Sequence, residues 1–410
     1  MDMKSLILQN INNPEGLEKL YRTNKTSFRK SFKEVYSEIK GELPSVFWYE
    51  RLKHDHPVVT QGKDLNLILL LSVIAIFIAK LPAILNIEED IFYPRNIAFI
   101  VLPALTAYFA WKRKISLTGI LFCAVVFILS AVYINLIPSN NNSDVFVLAS
   151  IHLPLFLWSV MGYSYISDAP FDSQKRMSFL QYNGNLIIMT GLLIIAGGAF
   201  SALTLGMFSL INVDIEEFYV NYIIIGGLSM APLIATWLVQ TSPQLVDKIA
   251  PVIARIFTPL VLITLTIYLV TVVITGKNPY QDREFLLLFN LMLIAVMAII
   301  VFSFAEISAG ASKIFIYQLG LLAVLAIIVN GVALSAIIFR ISEWGFTPNR
   351  TAVLGGNILI LIHLLIVSYH LIKTSFNNQP VSILEKAVTR YLPVYGLWAA
   401  LVAFVFPLIF

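Results

Sequence analysis

The 410 residues are 58% hydrophobic and only 13% charged, with a mean hydropathy of +0.81. That composition excludes a soluble enzyme, a disordered chain and a secreted disulfide scaffold. The net charge is only +4, and the one cysteine, Cys123, permits neither an intrachain disulfide nor a thiolate metal cage.

Residues 1–64 read as a small helical cytoplasmic cap, ahead of a transmembrane helical domain over 65–410. The cap holds eleven of the 28 Lys and Arg but also nine acids, so it is zwitterionic and no nucleic-acid arm. Its opening lacks the cationic start, short apolar core and cleavage site of a signal peptide. Asn13-Pro14-Glu15 marks a helix start: a capping side chain, a proline in the first turn, an acid near the positive dipole end. Phe28, Phe32, Val35 and Ile39 fall at helical spacing, which predicts an amphipathic helix packed on the membrane domain. Phe47-Trp48-Tyr49 sets three aromatics just before the first span, as at a membrane interface.

Hydropathy predicts an all-α polytopic bundle of about eleven spans, near 65–86, 92–111, 117–137, 145–166, 184–211, 219–240, 250–275, 285–304, 314–340, 351–372 and 393–410. At about 20 residues per crossing, roughly eleven spans consume about 220 residues. Lys and Arg divide ten against five between alternate loops when the N-terminus is placed inside, and Arg95 is one of the five. That bias predicts a cytoplasmic N-terminus and, with an odd number of spans, a periplasmic C-terminus. The longest internal loop, about 373–392, is expected to carry an interfacial helix from Ile383 to Tyr391.

No phosphate-binding loop, H-E-x-x-H or paired C-x-x-C is present, so the sequence names no cofactor and no metal. What remains are polar groups at membrane depth. His363 lies thirteen residues past Arg350, roughly 20 Å into its span, with His370 and Gly356 on nearly the same face. Asn330 lies ten residues before Arg340 on the preceding antiparallel span, about 15 Å deep, so the two side chains are expected to meet. An intramembrane ionisable residue is a functional candidate, and a proton-linked role stands beside a plain hydrogen bond between helices. Asn290, His152, Arg255 and Glu306 are weaker candidates of the same kind.

Two outer loops mix acids, cations and aromatics, and suit either a small-molecule site or an ion-paired lid. One brings Asp282 and Arg283; the other, around Gly345 and Pro348, brings Glu343 and Arg350. Paired glycines, Gly197-Gly198 in a span too long for the bilayer and Gly226-Gly227 in the next, suggest either close helix packing or broken helices at a substrate.

Phe47-Trp48-Tyr49-Glu50-Arg51-Leu52, the Ala250–Pro259 stretch, Asp282-Arg283-Glu284-Phe285 and above all Glu343-Trp344-Gly345-Phe346-Thr347-Pro348-Asn349-Arg350 resemble a family of bacterial multi-pass membrane proteins. That family is described only as a domain of unknown function. The resemblance covers most of the chain and implies a Gram-negative inner membrane, with no substrate or catalytic residue attached to it. Many spans, small loops and polar depth point to a transporter or permease, its partners the bilayer and a small-molecule or lipid substrate, with an oligomer possible. Glu88-Glu89-Asp90 in the first outer loop raises an alternative, an enzyme on a lipid-linked substrate, and a non-catalytic assembly or sensory subunit is the third reading.

Overall fold

The computed structural model describes residues 3–23, 25–54, 61–138, 143–167, 171–210, 214–241, 258–263, 265–267, 269–270, 274, 280, 283–308, 313–377 and 381–410. Among these every regular element is helical, and the protein is an all-α helical bundle. The chain divides into two compact units, Met1–Asn66 and Leu67–Phe410.

The first unit carries α1 (Met3–Gln9), α2 (Pro14–Thr23), α3 (Lys25–Val35) and α4 (Leu43–His54). Helix α2 starts where Asn13 Oδ1 accepts the Gly16 amide at 3.1 Å, the N-cap read from the sequence. Phe28, Phe32, Val35 and Ile39 are all buried, but against Ile7, Leu17, Tyr21 and Trp48: they build the unit's own core. Trp48 is likewise turned inward, at 3% exposure, while Phe47 is 63% exposed. The three neighbouring aromatics therefore do not share one interface. Successive helical residues point about 100° apart, which sends Trp48 to the core when Phe47 faces out.

The second unit is the membrane bundle. Its helices are α5 (Gln61–Ala79, which straddles the boundary), α6 (Leu81–Leu85), α7 (Glu89–Arg113), α8 (Leu117–Leu136), α9 (Asp144–Ile166) and α10 (Ser173–Leu210). There follow α11 (Glu216–Thr241), α12 (Thr258–Ile267), α13 (Arg283–Ser308), α14 (Lys313–Trp344), α15 (Pro348–Asn377) and α16 (Val381–Ala400). Eight helices of the described residues are long and apolar enough to cross a bilayer: α7 to α11, α14, α15 and the helix through α16 to Ile409. Three shorter apolar helices, Asp64–Ala79, Thr258–Ile267 and Phe289–Val301, overlap the remaining expected spans.

Local chemistry ends these helices where the chain must turn. Acids Glu89 and Asp90 open α7, and Lys112 and Arg113 close it, each matching the helix dipole. Lys114 then adopts the left-handed conformation, φ 52°, and Ser116 Oγ caps α8 by accepting the Gly119 amide at 3.2 Å. Prolines 94, 103, 154, 232 and 393 all lie inside helices. Bundles tolerate this because neighbours and local winding re-satisfy the freed carbonyls.

Three expectations about span shape change. Helix α10 runs 38 residues, about 57 Å, without a break at Gly197-Gly198. The irregularity is instead a π-helical turn, Tyr219–Ile224, just before Gly226-Gly227. The helix expected over Ile383–Tyr391 is not separate from the last span, since α16 runs from Val381 through Pro393 to a second π turn at Leu401–Val405. An apolar face on each side of Pro393 lets packing carry the helix across it.

Candidate functional site

Helices α13 to α16, with the start of α10, enclose one apolar core built on residues such as Phe289, Ile300, Leu322, Val329, Leu364 and Val388. Polar side chains are set into this core. His363 is fully buried on α15. Its ring lies nearly parallel to Tyr391, centroids 4.7 Å apart at 25°, and Nδ1 is 3.0 Å from Tyr395 Oη. Tyr391 and Tyr395 are four apart on α16 and so present one face. The tautomer decides which atom of the His363–Tyr395 pair donates. Nε2 is buried without a well-formed hydrogen bond, and the Val388 carbonyl is the backbone group acting on the ring.

Asn330 does not meet His363. It is fully buried on α14 and its Nδ2 donates to the Asn357 backbone carbonyl at 3.1 Å. Position along a helix does not fix the face. Asn357 and His363 are six residues apart, so they differ by about 240° around α15. One face of that helix meets α14 and the other meets α16. Asn330 Oδ1 and Asn357 Nδ2 are both left buried without partners.

These orphans have company. Asn290 Oδ1 and Ser303 Oγ on α13, and Ser368 Oγ, His370 Nδ1 and Thr374 Oγ1 on α15, are also buried and unpartnered. Of the fifteen such side-chain atoms among the described residues, eight belong to α13, α14 and α15. Ser368 continues the Asn357 face and His370 and Thr374 continue the His363 face, since their angular offsets on α15 are within about 40°. Each orphan in hydrocarbon costs free energy that water or a cargo group would recover.

The turn between α14 and α15 is held differently from an ion-paired lid. Arg350 Nη1 donates to the Trp344 and Gly345 carbonyls at 2.9 and 2.8 Å, and its guanidinium lies 5.6 Å from the Trp344 ring. Glu343 is exposed and does not pair with it. The fork of Arg350 caps the end of α14, where unpaired carbonyls and the negative dipole end favour a cation. Gly345, at φ +74°, supplies the left-handed residue that this turn needs. Arg340 joins the same end, its Nε donating to the Tyr280 carbonyl at 3.1 Å. Asp282 and Arg255 lie outside the described residues, and Arg283 and Glu306 are described only as helical backbone of α13.

The remaining candidates are placed as follows. His152 Nδ1 lies 2.9 Å from the Leu148 carbonyl within its own helix. Glu88, Glu89 and Asp90 are exposed at the start of α7. Gly197, Gly198 and Gly227 have open space where a Cβ would stand, and Gly226 makes only ordinary contact with Ile76. None of the four is a close-packing point. That role falls to Gly355, whose Cβ position lies within the Trp398 indole, and to Gly396, where an added Cβ would stand 2.7 Å from Ser159 Oγ.

Sequence reasoning missed Tyr391, Tyr395 and Asn357, the actual partners of the two central residues. The i, i+4 tyrosine pair was a visible signal, hidden because the helix expected over Ile383–Tyr391 and the span from 393 were read as separate elements. It also read Arg95 as a loop cation. Arg95 is 6% exposed inside α7, donating to the Ile134 and Ile137 carbonyls at 2.6 and 2.8 Å and lying 4.6 Å from the Phe146 ring. It caps the end of α8 as Arg350 caps α14. No family model, no curated protein and no solved structure matches the chain.

Proposed function

We propose that this multi-pass membrane protein is a permease-like carrier whose path runs through the α13–α16 bundle, with His363 as a proton-linked residue. The observation that carries the reading is the concentration of buried, unpartnered polar atoms within the bundle on α13, α14 and α15. A bundle that only had to be stable would replace them by apolar groups of similar volume. A bundle that passes a hydrated cargo needs such groups. The described residues give no comparable support to catalysis at Glu88-Glu89-Asp90, which stand exposed. A bacterial inner membrane, with residues 1–64 cytoplasmic, is proposed on the loop-charge bias and on the resemblance of the Glu343–Arg350 stretch.

The test begins with metabolite and lipid profiling of a deletion strain, and with uptake of whatever accumulates into proteoliposomes under an imposed pH gradient. His363→Gln keeps a hydrogen-bonding side chain toward Tyr395 but cannot titrate. The expected result is normal abundance, at least tenfold lower gradient-driven uptake and preserved substrate exchange. Uptake by His363→Gln equal to wild type overturns the proton-linked role. A purified protein that moves none of the accumulated compounds overturns the carrier.

A further inference from the structure

Among the described residues of the first unit, α4 carries a cluster of apolar side chains that the unit's own core does not use. Leu43, Val46 and Phe47 are 87%, 46% and 63% exposed and stand at i, i+3 and i+4, a single patch over the first turns of the helix. The opposite face is committed. Ser45 and Trp48 are buried in the unit's core, Ser45 Oγ donates to the Ile39 and Glu42 carbonyls, and Arg51 stacks 4.6 Å from the Trp48 ring while pairing with Glu18. The patch is thus presented by a helix that cannot roll to hide it without dismantling the unit.

We propose that this patch inserts into the headgroup–acyl boundary of the bilayer, so that α4 is an interfacial anchor. The chain itself limits where the patch can go. Only six residues separate His54, the end of α4, from Gln61, the start of α5, a reach of about 25 Å when fully extended. The apolar run that enters the membrane begins at Leu65, about one turn into α5. A lipid surface is therefore always within reach, at an effective concentration that a soluble partner does not match. The chemistry also fits lipid: aliphatic and phenyl groups at the centre, with Lys40, Glu42, Glu50 and Arg51 at the margins. The marginal charges nearly cancel, so apolar insertion and not attraction to anionic lipid holds the contact.

The lone cysteine makes the experiment clean, because Cys123 is buried and removable. In the full chain carrying Cys123→Ala, a nitroxide is attached at Phe47→Cys, at Leu43→Cys, or at the exposed control Lys40→Cys, and the protein is reconstituted into phosphatidylcholine vesicles with and without phosphatidylglycerol. The expected result is a label at positions 47 and 43 several-fold more accessible to oxygen than to a water-soluble nickel chelate, relative to position 40. Phosphatidylglycerol should leave that contrast unchanged. Labels at 43 and 47 as accessible to the chelate as the control overturn the proposal, because the patch then faces water. Labels shielded from both reagents overturn it too, because protein then covers the patch. A contrast that appears only with phosphatidylglycerol overturns the apolar mode of binding. Two labelling positions guard against one substitution disturbing the helix, since both side chains lie outside the core.

Discussion

Gly355 shows how much a single residue settles in this bundle. Its missing Cβ leaves the space that the Trp398 indole fills, which brings α15 and α16 together beside the His363–Tyr395 pair. Gly355→Ala gains roughly 1 kcal/mol of helix propensity but forces a rigid ring to move, and overpacking costs about 1–3 kcal/mol. With the indole standing where the Cβ would go, the upper part of that range applies, about 2–3 kcal/mol, and the net expectation is a loss of about 1–2 kcal/mol, read as a lower midpoint of thermal unfolding in detergent. Trp398→Leu should restore most of it in the double variant. A Gly355→Ala protein as stable as wild type would show that the helices are not held by this contact. The sequence could not single out Gly355, because its importance comes from a residue 43 positions away. Glycines that looked conspicuous, Gly197 and Gly198, face open space. The arginines teach the same lesson. Arg95, Arg340 and Arg350 donate to backbone carbonyls at helix ends or in turns, and Arg176 to the Thr389 carbonyl within α16, whereas composition alone suggested ion pairs. Where carboxylates are scarce, exposed carbonyls are the acceptors a guanidinium finds.

At the scale of elements, legibility follows the solvent. Helices α2 and α3 could be read in detail because water on one side forces an amphipathic pattern: Asn13 caps, and Phe28 and Phe32 turn inward. Membrane helices are apolar on every face, so hydropathy gives their existence and depth but not their rotation. Hence the sequence could set His363 and Asn330 on neighbouring helices but could not show that they turn to different partners. The cap also offers a pH test. Arg22 Nε donates to Glu18 Oε1 at 2.8 Å and Arg51 Nη1 pairs with Oε2 at 2.9 Å, tying α2 to α4. The Arg22 hydrogen bond, opposed by slight burial and helped by Arg51, holds the Glu18 carboxyl below its usual 4.5. A depressed carboxylate stabilises the folded unit fully above the unfolded value and loses that contribution as pH falls through the folded one. Amide-exchange protection of residues 14–54 in the full protein should therefore drop below pH 4.5, about fivefold at most for a solvated pair. Glu18→Gln should lose that component of the pH response. An identical response in both proteins would remove the pair from the stability of the unit.

For the whole molecule, the question is how many times the chain crosses. Eight helices qualify by length and composition among the described residues, and three shorter apolar ones stand at the other expected spans. The parity matters more than the sum, because it decides whether the two ends share a compartment. Arg95 counts among the five, and ten against five is the bias on which a cytoplasmic N-terminus is proposed. Arg95 also gives the α7–α8 hairpin a fixed end, with its guanidinium on the last carbonyls of α8, so α7 is a packed span with a defined partner and not a marginal one. Eleven crossings with the N-terminus inside put Met1 and Phe410 on opposite sides. Fusing a reporter active only in the cytoplasm, and one active only in the periplasm, to each end in turn should give cytoplasmic signal at the N-terminus and periplasmic signal at the C-terminus. Both ends reporting the same compartment would make the number of crossings even. One of the apolar helices at the first, seventh and eighth expected spans, Asp64–Ala79, Thr258–Ile267 or Phe289–Val301, would then be re-entrant or interfacial.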